Sequence, residues 1–170
     1  ECEATNDPNR HLLALISDTG LRLSEALGLI KEDIVLDTEI PHLIIQEHPW
    51  RKLKTASSER LVPLIGKSYW AAGQIMQIEA QFAFSNYTSP SKCNANSASA
   101  ALNKWLKPRV PDGCVVHSFR HALRDRLRAV ECPSDISDAI GGWSTSGIGH
   151  SYGDGYDLVV KQKWLQKIVI

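Results

Sequence analysis

Basic and imidazole side chains recur at helical spacing in the segment HSFRHALRDRL. Spacings of three and four would bring four of them to one side of a helix: His117, Arg120, His121 and Arg124. Guanidinium and imidazole groups together can hold a phosphate and move a proton. His117 and His121 also form an HxxxH pair, but the metalloprotease form needs Glu where Ser118 stands. The segment therefore favours an anion site or a solvated basic face over a metal site.

A second arginine occupies an apolar setting in the segment TGLRLSE. Arg22 lies between Leu21 and Leu23 in a stretch otherwise suited to the core. A guanidinium keeps its charge on burial, so it needs a carboxylate or a phosphate beside it. Glu25, three residues on, offers an internal ion pair as the structural alternative to a bound phosphate.

Two further segments carry groups suited to phosphate chemistry. Lys54 lies at the mouth of a predicted hairpin, LKTASSERLVPL, with Lys52 on the alternate side of the same strand as its rival. Near the C-terminus, GGWSTSGIGHSYGDGY contains Tyr152 and Tyr156 among six glycines. A tyrosine hydroxyl can act as a nucleophile once it is positioned, and glycines allow backbone states that other residues resist.

The hydrophobic periodicity predicts a mainly helical α+β domain with a small antiparallel sheet of two or three strands. Helices are expected in DPNRHLLALISDTG with Gly20 as C-cap, from RLSEALGLI, over 66–82 and 97–107, in HSFRHALRDRLRAV, in SDISDAIGGW with Ser134 as N-cap, and in DLVVKQKWLQKIVI. Strands are expected in PHLIIQEH, WRKLKT and ERLVPL. The last helix presents Trp164, Leu165 and Ile168 on one face, which can pack on its own domain or on a neighbouring protomer.

Length, charge and cysteine usage limit the function further. A chain of 170 residues with 43% hydrophobic content fits one domain. The zero net charge averages an acidic segment, 1–50, with 3 basic and 10 acidic residues, and a basic one, 51–130, with 13 and 4. Such segregation can create a basic face that attracts a polyanion. Four scattered cysteines, no signal-type N-terminus and no apolar run of about 20 residues predict a soluble cytoplasmic protein without a zinc module.

Four of these segments occur in the order found in the catalytic domain of tyrosine recombinases, the phage integrase family: TGLRLSEALGL, KTASSERLVPL, HSFRHALRDRL and GGWSTSGIGHSYG. The resemblance covers nearly the whole chain, and the spacing of nine from Trp143 to Tyr152 is typical of the family. It implies the tyrosine recombinase catalytic fold over residues 1–170. Members usually carry a further N-terminal domain that grips the opposite face of DNA, so we expect this sequence to be the catalytic fragment.

The resemblance assigns a role to each candidate residue. It implies six catalytic residues: Arg22, Lys54, His117, Arg120, Trp143, which replaces the more common His, and Tyr152 as nucleophile. Glu25 and His121 match residues that support the site. Lys52, Arg60 and Arg124 are candidate DNA contacts. The spacing excludes Tyr156 as the nucleophile.

The resemblance also implies the reaction. A site-specific recombinase or integrase cleaves and rejoins double-stranded DNA through a 3′-phosphotyrosine, with no metal, ATP or other cofactor. A type IB topoisomerase-like enzyme that nicks and reseals DNA, and a non-catalytic DNA-binding domain, are the alternatives. The expected partners are DNA, further copies of the full-length protein in a tetramer, and accessory DNA-bending proteins, in a bacterial or phage-derived system.

Overall fold

The computed structural model of the chain describes residues 1–143 and 155–169. Its helices are α1 (Pro8–Thr19), α2 (Leu23–Leu27), α3 (Gly66–Gln77), α4 (Ala95–Leu106), α5 (Ser118–Ala129), α6 (Ser134–Gly141) and α7 (Leu158–Gln166). Its strands are β1 (Ile34–Val35), β2 (His42–Ile45), β3 (Arg60–Pro63), β4 (Thr88–Ser89) and β5 (Lys92–Cys93). This confirms a mainly helical α+β fold. Within the described ranges, each helix is too short or too polar to cross a membrane.

The main sheet is antiparallel, with strand order β1-β2-β3. Leu43 pairs with Val62 and also with Ile34, and all three side chains are buried. The strands predicted in PHLIIQEH and ERLVPL are confirmed as β2 and β3. The third strand of the sheet is β1, and the prediction of a strand in WRKLKT is wrong.

A tight turn replaces the expected strand in WRKLKT. The backbones of His48 and Arg51 exchange hydrogen bonds of 3.1 and 3.0 Å across Pro49 and Trp50. The indole of Trp50 donates to the carbonyl of Gly28 at 3.0 Å and anchors this turn to the end of α2. Residues 52–55 then run as a loop into a 3₁₀ turn, Ala56–Ser58. Lys54 therefore lies on a loop instead of a strand.

The helix predictions are confirmed, with shifts at their ends. Ser134 is the first residue of α6 and Pro133 precedes it as the N-cap, so the prediction of Ser134 as the N-cap is wrong. Asp7 caps α1 by accepting a hydrogen bond of 2.8 Å from the Asn9 amide. Helix α3 ends at Gln77 and not at 82, because the next residue, Ile78, is extended. Helix α4 begins at Ala95, two residues early, because the Asn94 side chain caps it.

The core forms around α1, which packs against α3, α5 and α2. Leu12, Leu15 and Ile16 are at most 1% exposed. Burying side chains of this size contributes about 1.5–3 kcal/mol each, so α1 has a fixed position against α3 and α5. The segment that follows α1 carries Arg22.

The C-terminal helix packs on its own domain. Leu165 and Ile168 are buried in one cluster with Leu123 and Leu127 of α5. Lys161, also buried, donates to the carbonyl of Leu61 in β3 at 3.1 Å. The sequence left open whether this helix packs on its own domain or on a neighbouring protomer. In the single chain of this structure it packs on its own domain.

Gly20 joins α1 to the candidate site at a point where a side chain does not fit. Its φ is +61°, the left-handed conformation of a helix C-cap, and its amide donates to the carbonyl of Ile16. A Cβ here would lie 2.3 Å from Cδ2 of Leu123 in α5. The close approach of α1 and α5 therefore depends on glycine.

We expect Gly20→Ala to lower the free energy of unfolding by about 3 kcal/mol, because it combines a disfavoured φ with a steric clash. Gly73→Ala is the control, since a Cβ at Gly73 of α3 meets nothing within 4 Å. That change should raise stability by up to about 1 kcal/mol. Urea unfolding of both variants measures the difference, and equal effects would contradict the clash.

A histidine without hydrogen-bond partners lies in the core. His11 of α1 is fully buried, and neither ring nitrogen has a partner among the described residues. The ring of Trp70 lies edge-on at 5.4 Å. Burial lowers the pKa of His11, and the nearby Asp7 carboxylate opposes that shift only in part. The imidazole is therefore held neutral in the folded state.

A neutral buried histidine makes the fold sensitive to acid. Because its pKa is lower when folded, its contribution is complete above the unfolded value of about 6.5 and is lost as the pH falls below it. We expect His11→Leu to lose less unfolding free energy than the wild type between pH 8 and pH 5. Urea titrations at both pH values test this, and parallel losses in the two proteins would contradict it.

Candidate functional site

Arg22 lies at the N-cap of α2 with its guanidinium held on several sides. Nη1 donates to Oε1 of Glu25 at 2.5 Å and to Oγ of Ser58 at 2.9 Å. Nη2 donates to the carbonyl of Gly142 at 3.3 Å. The side chain remains 18% exposed. Arg22 thus has a defined orientation and still reaches the surface, as a phosphate-binding group requires.

Glu25 is the buried carboxylate of the site and is 2% exposed. Besides Arg22 Nη1, it accepts from the backbone amide of Arg22 at 3.0 Å and from Nη2 of Arg60 at 3.1 Å. Burial by itself would raise the pKa of Glu25, but the charge and hydrogen bonds of the two arginines outweigh burial and lower it. Glu25 is therefore an anion, as its proposed supporting position requires.

The structure corrects the expectation that Arg60 contacts DNA. Arg60 is buried, and its three guanidinium nitrogens donate to Glu25, to the carbonyl of Ile140 at 2.9 Å and to the carbonyl of Ser58 at 2.6 Å. The alternation along ERLVPL places this side chain inward, and the carboxylate of Glu25 compensates its charge. Each guanidinium nitrogen of Arg60 therefore has an acceptor within the described residues.

Arg120 is the second buried arginine that the sequence singled out, and it is 3% exposed. Nη1 donates to the carbonyl of Gly20 at 2.7 Å, whereas Nη2 has no hydrogen-bond partner within the described ranges. Burial, followed by repulsion from the positive charge of Arg22, lowers the pKa of Arg120 to about 10. A desolvated cation beside another cation favours the binding of an anion.

Two histidines flank this arginine at the start of α5. The rings of His117 and His121 lie 5.0 Å apart in an edge-to-face arrangement, and both residues are exposed. Partial burial lowers the pKa of His117, and the charges of neighbouring cations lower it further; these include His121, Arg120, Arg22 and Lys54. His117 is therefore mainly neutral near pH 7, in the form that accepts a proton.

Lys54 is exposed on the loop that leads to the 3₁₀ turn. Its charge contributes to the lowered pKa of His117, so its ammonium lies within electrostatic reach of that imidazole. Hydroxyl contacts of 2.9 Å join Thr55 to Ser58 and Ser58 to Arg22, which ties the loop to the site. The rival Lys52 is 77% exposed and pairs with Glu47 at 3.2 Å, farther along the same loop.

Trp143 lies between two arginines of α5. The guanidinium carbons of Arg120 and Arg124 lie 4.5 and 4.9 Å from the centroid of its indole. Such cation–π contacts fix the ring at the end of α6. Arg124 also donates to Asp138 at 3.0 Å and is 37% exposed, so one side of it can face a ligand.

The structure thus brings together most of the predicted site: Arg22, Glu25, Lys54, His117, Arg120, His121 and Trp143. Tyr152 lies outside the described residues. The sequence reasoning missed Ser58 and the supporting position of Arg60. For Arg60 the available signal was the alternation of inward and outward side chains along the strand, with Leu61 outward and Val62 inward. Within 1–143 and 155–169, no three His, Cys, Asp or Glu side chains group closely enough to hold a metal ion.

Solved structures similar to this chain show which fold carries the site. The Tn1549 transposon integrase with circular intermediate DNA superimposes with a TM-score of 0.60 at 20% identity, over 84% of this chain and 57% of that one. Its complex with transposon right end DNA gives 0.59 at 17% identity, over 93% and 58%. The XerH site-specific recombinase bound to difH gives 0.51 at 15% identity, over 84% and 41%. The fold is that of a tyrosine recombinase catalytic domain.

The sequence comparison places the chain in a family. The phage integrase family matches residues 2–157, and the chain belongs to it. No curated protein sequence matches the chain. The chain spans somewhat more than half of the Tn1549 integrase chains and less than half of the XerH chain.

We expect inorganic phosphate to stabilise the protein through Arg120. At ten times its dissociation constant, a ligand of the folded state adds about 1.4 kcal/mol to the free energy of unfolding. This gain should be lost in Arg120→Met and kept in Arg128→Met, because Arg128 is 66% exposed and pairs with Asp125. Thermal unfolding at constant ionic strength measures it. Equal stabilisation of both variants would mean that phosphate acts elsewhere or only as a general cosolute.

Proposed function

We propose that the chain is the catalytic domain of a site-specific DNA recombinase or integrase that forms a 3′-phosphotyrosine with Tyr152. One observation carries the proposal: Arg120 is buried with Nη2 unpartnered in the described structure, beside Arg22 and within the electrostatic reach of His117. Such a cluster is incomplete until an anion enters it. Membership of the phage integrase family points to a DNA phosphodiester as that anion.

Arg22 and Arg120 are the proposed ligands of the non-bridging phosphate oxygens. Charge on these oxygens is stabilised best by donors fixed before the reaction. Glu25, Ser58 and the carbonyl of Gly142 fix Arg22, while the carbonyl of Gly20 fixes Arg120. The two guanidinium groups therefore need little rearrangement when the scissile phosphate arrives.

The proposed reaction is a transesterification. The hydroxyl oxygen of Tyr152 attacks phosphorus, a bond from tyrosine to phosphorus forms, and the bond to the 5′-oxygen breaks. Religation reverses these steps with the 5′-hydroxyl of the same or another strand. One ester replaces another, so bond energy is conserved and the scheme needs neither ATP nor water as a reactant.

Two proton transfers accompany the exchange. Lys54 is the proposed acid that protonates the departing 5′-oxygen, because its exposed ammonium lies within electrostatic reach of His117. His117 is the proposed acceptor of the tyrosine proton, since its lowered pKa favours the neutral ring. Trp143 supplies one indole N–H donor but no exchangeable proton. The scheme uses no metal ion.

The larger assembly is also part of the proposal. The solved relatives are complexes with DNA, and each extends well beyond the length matched by this chain. We infer double-stranded DNA as the substrate, an additional N-terminal DNA-gripping domain in the full protein, and a tetramer during strand exchange. Accessory DNA-bending proteins and a bacterial or phage origin complete this inference. Arg124 and Lys52 are the proposed surface contacts to DNA.

Tyr152→Phe should abolish covalent attachment to DNA, because it removes the nucleophilic oxygen. The test incubates the protein with supercoiled plasmid in EDTA, stops it with SDS and measures protein-linked DNA and relaxation. Tyr156→Phe is the control and should keep the adduct, since Tyr156 donates its hydroxyl to Asp135. Loss of adduct in Tyr156→Phe alone would move the nucleophile to that residue.

The same assay separates the alternatives. Relaxation without exchange between two DNA molecules would favour a topoisomerase-like enzyme. DNA binding that is unaffected by Tyr152→Phe, with no adduct in the wild type, would indicate a non-catalytic DNA-binding domain. Adduct that forms only with added divalent metal would contradict the proposed chemistry.

A further inference from the structure

Arg60 contacts three separate parts of the candidate site from inside the protein. Its side chain is 4% exposed, and each guanidinium nitrogen donates to a different group. Nη2 reaches Glu25 in α2, Nη1 reaches the carbonyl of Ser58 in the 3₁₀ turn, and Nε reaches the carbonyl of Ile140 in α6. One planar group therefore sets the spacing of three segments that are far apart in sequence.

The two residues whose side chains accept hydrogen bonds from Arg22 also accept hydrogen bonds from Arg60. Arg22 donates to Glu25 and to the hydroxyl of Ser58. Arg60 binds the other carboxylate oxygen of Glu25 and the main-chain carbonyl of Ser58. Since the Ser58 turn follows Lys54 directly, Arg60 also fixes the base of the loop that carries the proposed acid.

The end of α6 closes over the same guanidinium. Gly142 has φ +63°, and a Cβ at this position would lie 2.6 Å from Nη1 of Arg60. The carbonyl of Gly142 accepts from Arg22, and the next residue is Trp143. The chain therefore passes directly over Arg60 before it reaches the indole that packs on Arg120.

The electrostatics agree with this geometry. Among the groups that lower the pKa of Glu25, the positive charge of Arg60 has the largest effect, ahead of the hydrogen bonds from Arg22. Arg60 thus compensates much of the cost of burying Glu25. Arg22 can then turn part of its guanidinium toward a phosphate without leaving an uncompensated carboxylate behind.

We propose that Arg60 is a positioning residue for the recombinase reaction, acting through Glu25 and Ser58 to hold Arg22 in its phosphate-binding orientation. This inference rests on the proposed function for its effect on rate. It concerns a residue that does not touch DNA, and it requires the planar fork as well as the charge. Lysine cannot reach three diverging acceptors in one plane with the same geometry.

Arg126 provides a matched control. Like Arg60, it binds one carboxylate, Asp18, at 3.1 Å and two main-chain carbonyls, those of Ser17 and Ile168. It belongs to α5 but contacts none of Glu25, Ser58 or Ile140 among the contacts described. Arg60→Lys and Arg126→Lys therefore make the same chemical change at arginines with the same kinds of acceptor, one at the site and one away from it, although Arg126 is the more exposed, at 21%.

The first measurement is the order of the Arg22 guanidinium, which needs no substrate. Its NMR signals are assigned from their loss in Arg22→Lys. We expect resolved, slowly rotating N–H signals of Arg22 in the wild type and in Arg126→Lys, and averaged signals in Arg60→Lys. Unchanged Arg22 signals in Arg60→Lys would overturn the proposal. Arg60→Gln, which removes the charge but keeps donors, serves the same test if Arg60→Lys does not fold.

The second measurement is the rate of covalent adduct formation at saturating plasmid DNA. Arg60→Lys should lower it by about ten- to a hundredfold, since a small displacement of a catalytic group has effects of that size. DNA affinity should change less than about threefold, and Arg126→Lys should stay within about threefold of wild type in both. Equal rate losses in the two variants would reduce Arg60 to a structural residue. Absence of adduct in the wild type would instead contradict the proposed function and leave the NMR test valid.

Discussion

The site depends on the shortage of negative charge around its buried arginines. Glu25 serves Arg22 and Arg60 together, and Arg120 feels the repulsion of both without a carboxylate of its own among its hydrogen-bond partners in the described structure. Burying a guanidinium without full compensation costs free energy, so the site is stabilised when an anion binds. A phosphodiester carries the required negative charge, whereas a neutral ligand does not. Under the proposed function, phosphate binding and transition-state stabilisation arise from this same lack of negative charge.

The packing of the core offsets the free-energy cost of burying these arginines. Close packing of α1 against α3 and α5 fixes Gly20, whose carbonyl is the described hydrogen-bond partner of Arg120. A loosely packed helix would let the carbonyl and the guanidinium separate and admit water between them. The rigid core is thus what keeps the cations desolvated, and desolvation is what makes them effective toward a phosphate.

Local patterns predicted those elements whose residues interact with near neighbours. The Gly20 C-cap and the leucines of α5 are readable because their partners lie within a few positions or in a regular apolar face. The failed strand at WRKLKT depends on Trp50 reaching the carbonyl of Gly28, more than twenty residues away. The prediction that Arg60 contacts DNA failed for the same reason. Its acceptors Glu25 and Ile140 lie far from it in sequence, toward opposite ends of the chain. The candidate residues themselves came from resemblance to a family, since spacing alone left Arg22 and Lys54 with ordinary structural alternatives.

Trp143 stands at a position where the family more often has a histidine, and the two side chains differ in the interactions that they can make. A histidine at this position could donate a hydrogen bond and also exchange a proton, whereas indole N–H can only donate. The tryptophan gains area instead, and its ring packs against both Arg120 and Arg124. That contact orients Arg120, and in the proposed mechanism His117 and Lys54 carry the proton transfers. The larger ring therefore strengthens the arrangement of the two arginines, and the proposed acid–base chemistry rests on His117 and Lys54 alone.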